Sequence, residues 1–186
     1  MTAIVAIVEN DTVYMGGDSA GVAGLSITVR KDPKVFKNGP FIMGFTSSFR
    51  MGNLLRYSFK PPKHPDNMSL DRYMNTVFID AVRECLRDGG YTKVNDNNEK
   101  GGTFLVGYKG KLFNIDGDFQ VGIHVRNYDS VGCGGELCLG SLYTTEKLDI
   151  EPKERIKIAL KAAELFSGGV RRPFNILSLK HEEDNE

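Results

Sequence analysis

The chain has 186 residues, 40% hydrophobic and 26% charged, enough for one compact domain with a substantial core. Lys plus Arg and Asp plus Glu both total 24, giving zero formal charge, which argues against a broad nucleic-acid surface, since that needs excess cations to displace counterions. No apolar run approaches the ~20 residues of a membrane span, Met1-Thr2-Ala3-Ile4-Val5 lacks signal-peptide features, and Cys85, Cys133 and Cys138 are too few for a disulfide framework, so the expectation is a cytoplasmic protein with no nucleic-acid or membrane partner.

Residues 2–9 read as a strand whose nearly continuous apolar character fits burial on both faces. Asn10-Asp11 turns it into a return strand over 12–18. The small, Gly-rich 19–24 reads as a loop and 25–30 as a short strand. A second hairpin pairs 34–37 with 41–46. Ser47 or Ser48 caps a helix over 49–59, with Met51, Leu54, Leu55 and Phe59 at helical spacing. Three prolines mark 60–67 as an exposed loop. Ser69 opens another helix with Tyr73, Val77, Ile79, Val82 and Leu86 on its apolar face, and Gly89-Gly90 ends it.

The polar stretch 91–102 has no periodicity. Strands follow at 103–108, 111–115, 117–124 and 128–131; helices at 134–142 and from Glu151-Pro152 to Phe166; and a last strand at 174–179. Helices come in pairs rather than alternating with strands, which predicts an α+β or multilayer sandwich, not a doubly wound fold. Residues 1–180 form a single domain in this reading, and 181–186 an acidic tail that frays.

Common signatures are missing. His64, His124 and His181 do not combine with cysteines at zinc spacing, and His124 reads as a packed sheet histidine. Cys133 and Cys138 have no second pair, and Gly132-Cys133-Gly134-Gly135 is too short for a phosphate loop. Asp116 and Asp118 lack the other ligands of a calcium loop. The N-terminus says more. Removal of Met1 exposes Thr2 with an α-amine and a hydroxyl on one residue, and the amine, of intrinsic pKa about 7.7–8.0, can act as base for the hydroxyl. The first hairpin returns Asp18 toward Thr2, where a carboxylate can hold a cation or orient a lysine. Lys34 follows, and a buried lysine beside a hydroxyl lowers the hydroxyl pKa. Taken singly, Thr2 is a strand-initiating residue, Asp18 a turn residue and Lys34 a solvated one.

Taken together they resemble a family. Thr2, Gly17-Asp18 and Lys34-Val35 keep offsets of 16 and 32 residues, similar to the N-terminal Thr, Asp and Lys of proteasome β-type subunits and the HslV peptidase. Ile42-Met43-Gly44-Phe45 resembles the strand before that family's first helix. Val131-Gly132-Cys133-Gly134-Gly135, followed by Leu139-Gly140, resembles its Gly-Ser-Gly segment, and Glu164-Leu165-Phe166-Ser167-Gly168-Gly169 its Asp-x-x-Ser-Gly-Gly segment. The matches run from Thr2 to Gly169.

The resemblance implies an N-terminal-nucleophile hydrolase, a four-layer αββα sandwich of two antiparallel sheets flanked by helices. It implies a threonine endopeptidase that needs no cofactor and acts on peptides or unfolded proteins, in a homo-oligomeric ring with an ATP-dependent unfoldase as partner. By the same resemblance Thr2 is nucleophile and base, Lys34 tunes it, and Asp18 holds Lys34. Cys133 and Ser167 lie beside the Thr2 amine with Glu164 supporting them, and a backbone N–H near Ser47 or Ser48 forms the oxyanion hole. The family has Ser at Cys133, Asp at Glu164 and Gly-Gly at Ser47-Ser48. These departures keep two other readings open: a non-catalytic ring- or shell-forming member of the fold, and an amidase of small amides.

Overall fold

A computed structural model describes residues 1–95 and 98–181. β1 (Ile4–Glu9) and β2 (Thr12–Gly17) form the expected hairpin, with Asn10 and Asp11 both at positive φ (49° and 55°), the two-residue geometry that matches strand twist. The segment read as a loop and a lone strand is instead a hairpin, β3 (Ala20–Ala23) with β4 (Ser26–Val29), in which Ala20 opposes Val29 across backbone pairing. β5 (Val35–Asn38) and β6 (Phe41–Phe45) are the second expected hairpin.

Ser48, not Ser47, caps α1 (Phe49–Asn53), its side chain accepting from the Arg50 N–H. The helix then widens into a π-turn at Leu54–Ser58, with the Phe59 N–H donating to the Leu54 carbonyl. The next helix begins as α2 (Leu70–Tyr73), capped by Ser69, passes through a π-turn at Met74–Phe78 and continues as α3 (Ile79–Asp88). Gly89 caps it and Gly90, at φ 68°, turns the chain away. Part of the polar stretch pairs as a short hairpin, β7 (Lys93–Asn95) with β8 (Asn98–Lys100), which Glu99 ties to Arg83 of α3 by an ion pair (2.9 Å); its residues are mostly polar, so no apolar alternation announced it.

β9 (Phe104–Tyr108) and β10 (Lys111–Ile115) follow. Only β11 (Val121–Gly122) of the expected 117–124 strand pairs, and His124 lies exposed outside the sheet, its Nδ1 accepting from the Arg126 N–H. β12 (Tyr128–Val131), α4 (Gly135–Thr144), α5 (Pro152–Phe166, with Pro in its first turn) and β13 (Asn175–Lys180) complete the described chain. The expected tail over 182–186 lies outside the described residues.

Two antiparallel sheets result, ordered β12-β1-β2-β13 and β11-β10-β9-β6-β5. Strand alternation divides the core. Ala3, Val5 and Ile7 join an apolar cluster with Leu142, Ile156 and Leu160 of α4 and α5. Ile4 and Ala6 join another with Val35, Ile42 and Leu105 of the second sheet. A third unites Phe41, Met43 and Phe45 with Leu54, Phe78 and Val82. Both faces of β1 are therefore buried, as its apolar run implied; Ala3 through Ile7 are all 0% exposed. The fold is a mixed α/β one built on antiparallel sheets.

Candidate active site

Thr2 and Ala3 lead into β1, and two neighbours fix their backbone. The Asp18 N–H donates to the Ala3 carbonyl (3.3 Å), and the Gly134 N–H donates to the Thr2 carbonyl (3.2 Å). Gly132 makes the second contact possible: it stands at φ 101°, and a Cβ there would lie 2.2 Å from the Thr2 carbonyl oxygen. At Gly17 a Cβ would lie 2.8 Å from Ile4 and 3.1 Å from Val35, so this glycine lets the β2 backbone lie against the start of β5, beside Lys34.

The side chains then converge. The Lys34 ammonium donates to Thr2 Oγ1 at 2.7 Å and to Asp18 Oδ1 at 2.8 Å. Thr2, Asp18 and Lys34 are 4%, 2% and 2% exposed, so the ion pair is excluded from water. Asp18 also accepts from the backbone N–H groups of Ala3 (3.1 Å), Ala20 (2.8 Å) and Arg171 (3.2 Å). Three fixed dipoles and an ammonium satisfy the carboxylate, which is the condition for holding a charge inside a protein. Burial pushes the Lys34 ammonium below the ordinary lysine range. Asp18 opposes that shift, as to a lesser degree does Cys133, while nearby Arg30 adds to it.

On the other side of Thr2, its N–H donates to Cys133 Sγ at 3.2 Å, and Cys133 Sγ lies 3.5 Å from Ser167 Oγ. Met1 occupies the space beside them, its carbonyl accepting from the Thr2 hydroxyl. With Met1 attached, the Thr2 nitrogen is an amide and carries no basic lone pair.

Glu164 is placed differently from expectation. Its carboxylate takes the Arg172 guanidinium (Oε2–Nη2 2.6 Å) and the Arg172 N–H (2.9 Å), and hydrogen-bonds neither Cys133 nor Ser167. A planar guanidinium offers a carboxylate two parallel charge-assisted bonds, which a thiol and a hydroxyl cannot match. Glu164 still reaches the site indirectly. The Arg171 side chain donates to the Glu164 and Val170 carbonyls (3.3 and 3.2 Å), and the Arg171 N–H is one of the donors on Asp18. Arg171 and Arg172 were missed by sequence reasoning; only their charge opposite Glu164, seven and eight residues earlier, hinted at them.

Ser47 and Ser48 divide their tasks. Ser47 stands at φ 59°, its Oγ accepting from the Thr103 N–H (3.1 Å) and paired with Thr46 Oγ1 (3.2 Å). The Ser48 N–H donates to the Thr46 carbonyl at 2.6 Å and is thereby engaged. The Ser47 N–H has no hydrogen-bond acceptor among the described residues. Cys138 belongs elsewhere: it is 0% exposed in the α5 cluster, and burial pushes its thiol up to about 12. Among the described residues no group of three or more His, Cys, Asp or Glu side chains is placed to hold a metal ion, and no helix is long and apolar enough to cross a membrane.

No protein-family model and no curated protein sequence matches the chain. Solved structures do match its fold. BPH from Thiobacillus denitrificans, solved in complex with epoxomicin, superposes with a TM-score of 0.79 at 14% identity, over 97% of this chain and 100% of that one. HslV from Trypanosoma brucei matches with a TM-score of 0.69 at 16% identity, over 97% and 100%. Anbu, an ancestral β-subunit from Yersinia bercovieri, matches with a TM-score of 0.64 at 19% identity, over 96% and 82%. HslV and Anbu are proteasome-type N-terminal-nucleophile hydrolase relatives, the group that the motifs resemble, and the likeness is one of fold.

Proposed function

We propose that this protein is an N-terminal threonine peptidase of the proteasome and HslV kind, active once the Met1–Thr2 bond is cleaved. The observation that carries the reading is the buried Lys34 ammonium bridging Thr2 Oγ1 and Asp18. The fold likeness to BPH, HslV and Anbu supports it. The reading includes one domain with a four-layer αββα order, supported by three apolar clusters, two of which unite a sheet with helices and one of which unites the two sheets.

Chemistry follows from the geometry. The freed Thr2 amine, of intrinsic pKa about 7.7–8.0, takes the Oγ1 proton as Oγ1 attacks a peptide carbonyl carbon. The Lys34 ammonium stabilises negative charge growing on Oγ1. The unengaged Ser47 N–H is the oxyanion donor, a contribution of roughly 3–4 kcal/mol to the barrier. Collapse of the tetrahedral intermediate breaks the C–N bond, and the proton held by the Thr2 amine passes to the departing nitrogen. An ester remains on Oγ1, and water hydrolyses it with the amine again as base. Cys133 and Ser167 hold the amine in place, and Glu164 steadies the segment carrying Arg171. The substrate is a peptide or unfolded protein. The working form is a cytoplasmic homo-oligomeric ring served by an ATP-dependent unfoldase.

The test uses protein whose N-terminal Thr2 has been verified by intact mass. It should hydrolyse a fluorogenic peptide and gain the mass of epoxomicin on Thr2, and Thr2→Ala should abolish both. Turnover unchanged in Thr2→Ala overturns the reading. One observation favours a second reading, a non-catalytic ring former: Met1 is accommodated in the site against Thr2 and beside Gly169. Uniform retention of Met1 in the native protein, with no adduct, would favour that reading instead.

A further inference from the structure

Lys34 has a neighbour that its hydrogen bonds leave out. An ammonium carries three N–H donors. Two of them reach oxygen, at Thr2 Oγ1 and Asp18 Oδ1, and among the described residues Lys34 Nζ makes no third hydrogen bond. A buried donor left without an acceptor is costly. Nζ also lies over the ring of Phe49, 5.7 Å from its centroid. The face of an aromatic ring carries negative charge density. It attracts a cation within about 6 Å of the centroid, most strongly where water is excluded.

The ring is held from several sides. Phe49 is the first residue of α1, directly after the Ser48 cap. It meets Phe45 of β6 edge-on, with centroids 5.7 Å apart and planes at 80°. The Arg30 guanidinium sits on the same ring, 3.9 Å from its centroid. Arg30 is itself clamped: its Nε and Nη2 donate to the two Asp32 carboxylate oxygens at 2.8 and 2.7 Å, and its N–H donates to the Ser19 carbonyl at 2.9 Å. Gly21 leaves room for this arrangement, since a Cβ there would lie 2.9 Å from Arg30 Cδ. Arg30 is one of the charges that disfavour the Lys34 ammonium, and the Asp32 carboxylate against it offsets that repulsion.

We propose that Phe49 is a positioning residue of the Thr2 site: its ring face holds the Lys34 ammonium against Thr2 Oγ1, and the Arg30–Asp32 clamp fixes the ring. This role rests on the reading of Lys34 as the cation that serves Thr2 Oγ1. The charged and titratable groups around Lys34 are Asp18 after β2, Arg30 and Asp32 between β4 and β5, Cys133 between β12 and α4, and the freed Thr2 amine. The ring is the one uncharged member of this set, so its attraction for the ammonium does not itself titrate. Without it, Asp18 is the only strong attraction on Nζ, and the ammonium is free to turn from Oγ1 toward the carboxylate just as negative charge grows on Oγ1.

Three variants at this position test the role in the full chain. Each is read by the Nζ signal of 15N-labelled Lys34 and, in protein with a verified N-terminal Thr2, by turnover of a fluorogenic peptide. Replacing Phe49 by a ring-fluorinated phenylalanine keeps its shape and withdraws charge density from the ring face. The Lys34 midpoint should fall by about half a pH unit, the size of one modest cation–π contact. In the same protein kcat should fall about threefold with KM changed less than about twofold, and the alkaline limb of the kcat profile should move down with the midpoint. Phe49→Leu should act in the same direction, and Phe49→Tyr, which keeps a ring face, should return the midpoint to its native value. An unmoved midpoint in the folded fluorinated chain overturns the proposal, and so does a change confined to KM. A shifted midpoint in a chain that hydrolyses no peptide would support the hold of the ring on Lys34 and overturn the peptidase reading instead.

Discussion

Lys34 carries a charge into a site where it is 2% exposed, and its worth depends on what it meets there. Removing one partner of a buried pair leaves the other uncompensated, at about 3–5 kcal/mol, whereas removing both is far less damaging. Lys34→Met should therefore lower the urea stability by that amount, and Asp18→Asn combined with Lys34→Met should recover much of it. Equal losses in the single and double variants would mean that the pair is not coupled. The titration of Lys34 offers a separate check. Burial makes its ammonium easier to deprotonate than the ordinary 10.5, so its Nζ signal should titrate below that value in NMR. Between the lowered folded value and the unfolded one, the unfolded chain holds a proton that the folded chain has lost. This group's contribution to stability therefore rises with pH across that window. A midpoint at or above 10.5 contradicts the burial argument. The offsets between Thr2, Asp18 and Lys34 make the trio legible in the amino-acid sequence through their resemblance to a known family's spacing. The positive φ of Ser47 is hinted at only by the Gly-Gly that the resembled family has there, and the Arg171 N–H on Asp18 is not legible at all, because a backbone donor leaves no mark in residue type.

At the scale of elements, two segments support Thr2 from outside its strand. Gly132 brings the β12–α4 turn onto the Thr2 carbonyl. Gly132→Ala requires an L side chain at φ 101° and a clash with backbone. It should displace Thr2, reducing peptide turnover well beyond what its loss of stability explains; unaltered turnover would show the contact to be dispensable. The segment after α5 is fastened by Glu164 to Arg172. Arg172 holds the Glu164 carboxyl below its ordinary range, so this carboxyl stabilises the fold above the unfolded Glu value of about 4.3. That contribution is lost as pH falls through the lower folded value. Glu164→Gln should make acid unfolding less steep and speed exchange of the Arg171 amide, and unchanged exchange would separate Glu164 from the site. Sequence reading found the helix starts and stops at Ser69, Gly89 and Pro152, since caps are local chemistry. It missed the β3–β4 and β7–β8 hairpins, whose strands bury little and so show no alternation. It also put Glu164 on the wrong partners, because a ring of candidate neighbours exists in sequence and geometry selects among them.

Over the whole molecule, the apolar surface is uneven. Leu25 and Val125 are almost fully exposed, and Leu165 and Phe166, at 76% and 73%, sit beside Ser167 at the end of α5. Adjacent exposed hydrophobic residues mark contact surfaces more often than solvent-facing ones. Native mass spectrometry should therefore find a discrete homo-oligomer, and Leu165→Ser with Phe166→Ser should weaken it. A monomer at micromolar concentration contradicts the proposed ring. Length, composition and periodicity by themselves determined the order of most strands and helices and the double burial of β1, because those depend on local pattern; Thr2, Asp18 and Lys34 became a set only through the resemblance of their spacing to a known family. Only tertiary structure decided that the three meet within hydrogen-bond distance in a buried site and that Glu164 serves Arg172. The first depends on residues distant in the chain being brought together by packing, and the second on which of several nearby groups the folded backbone presents, and neither is encoded in a local pattern.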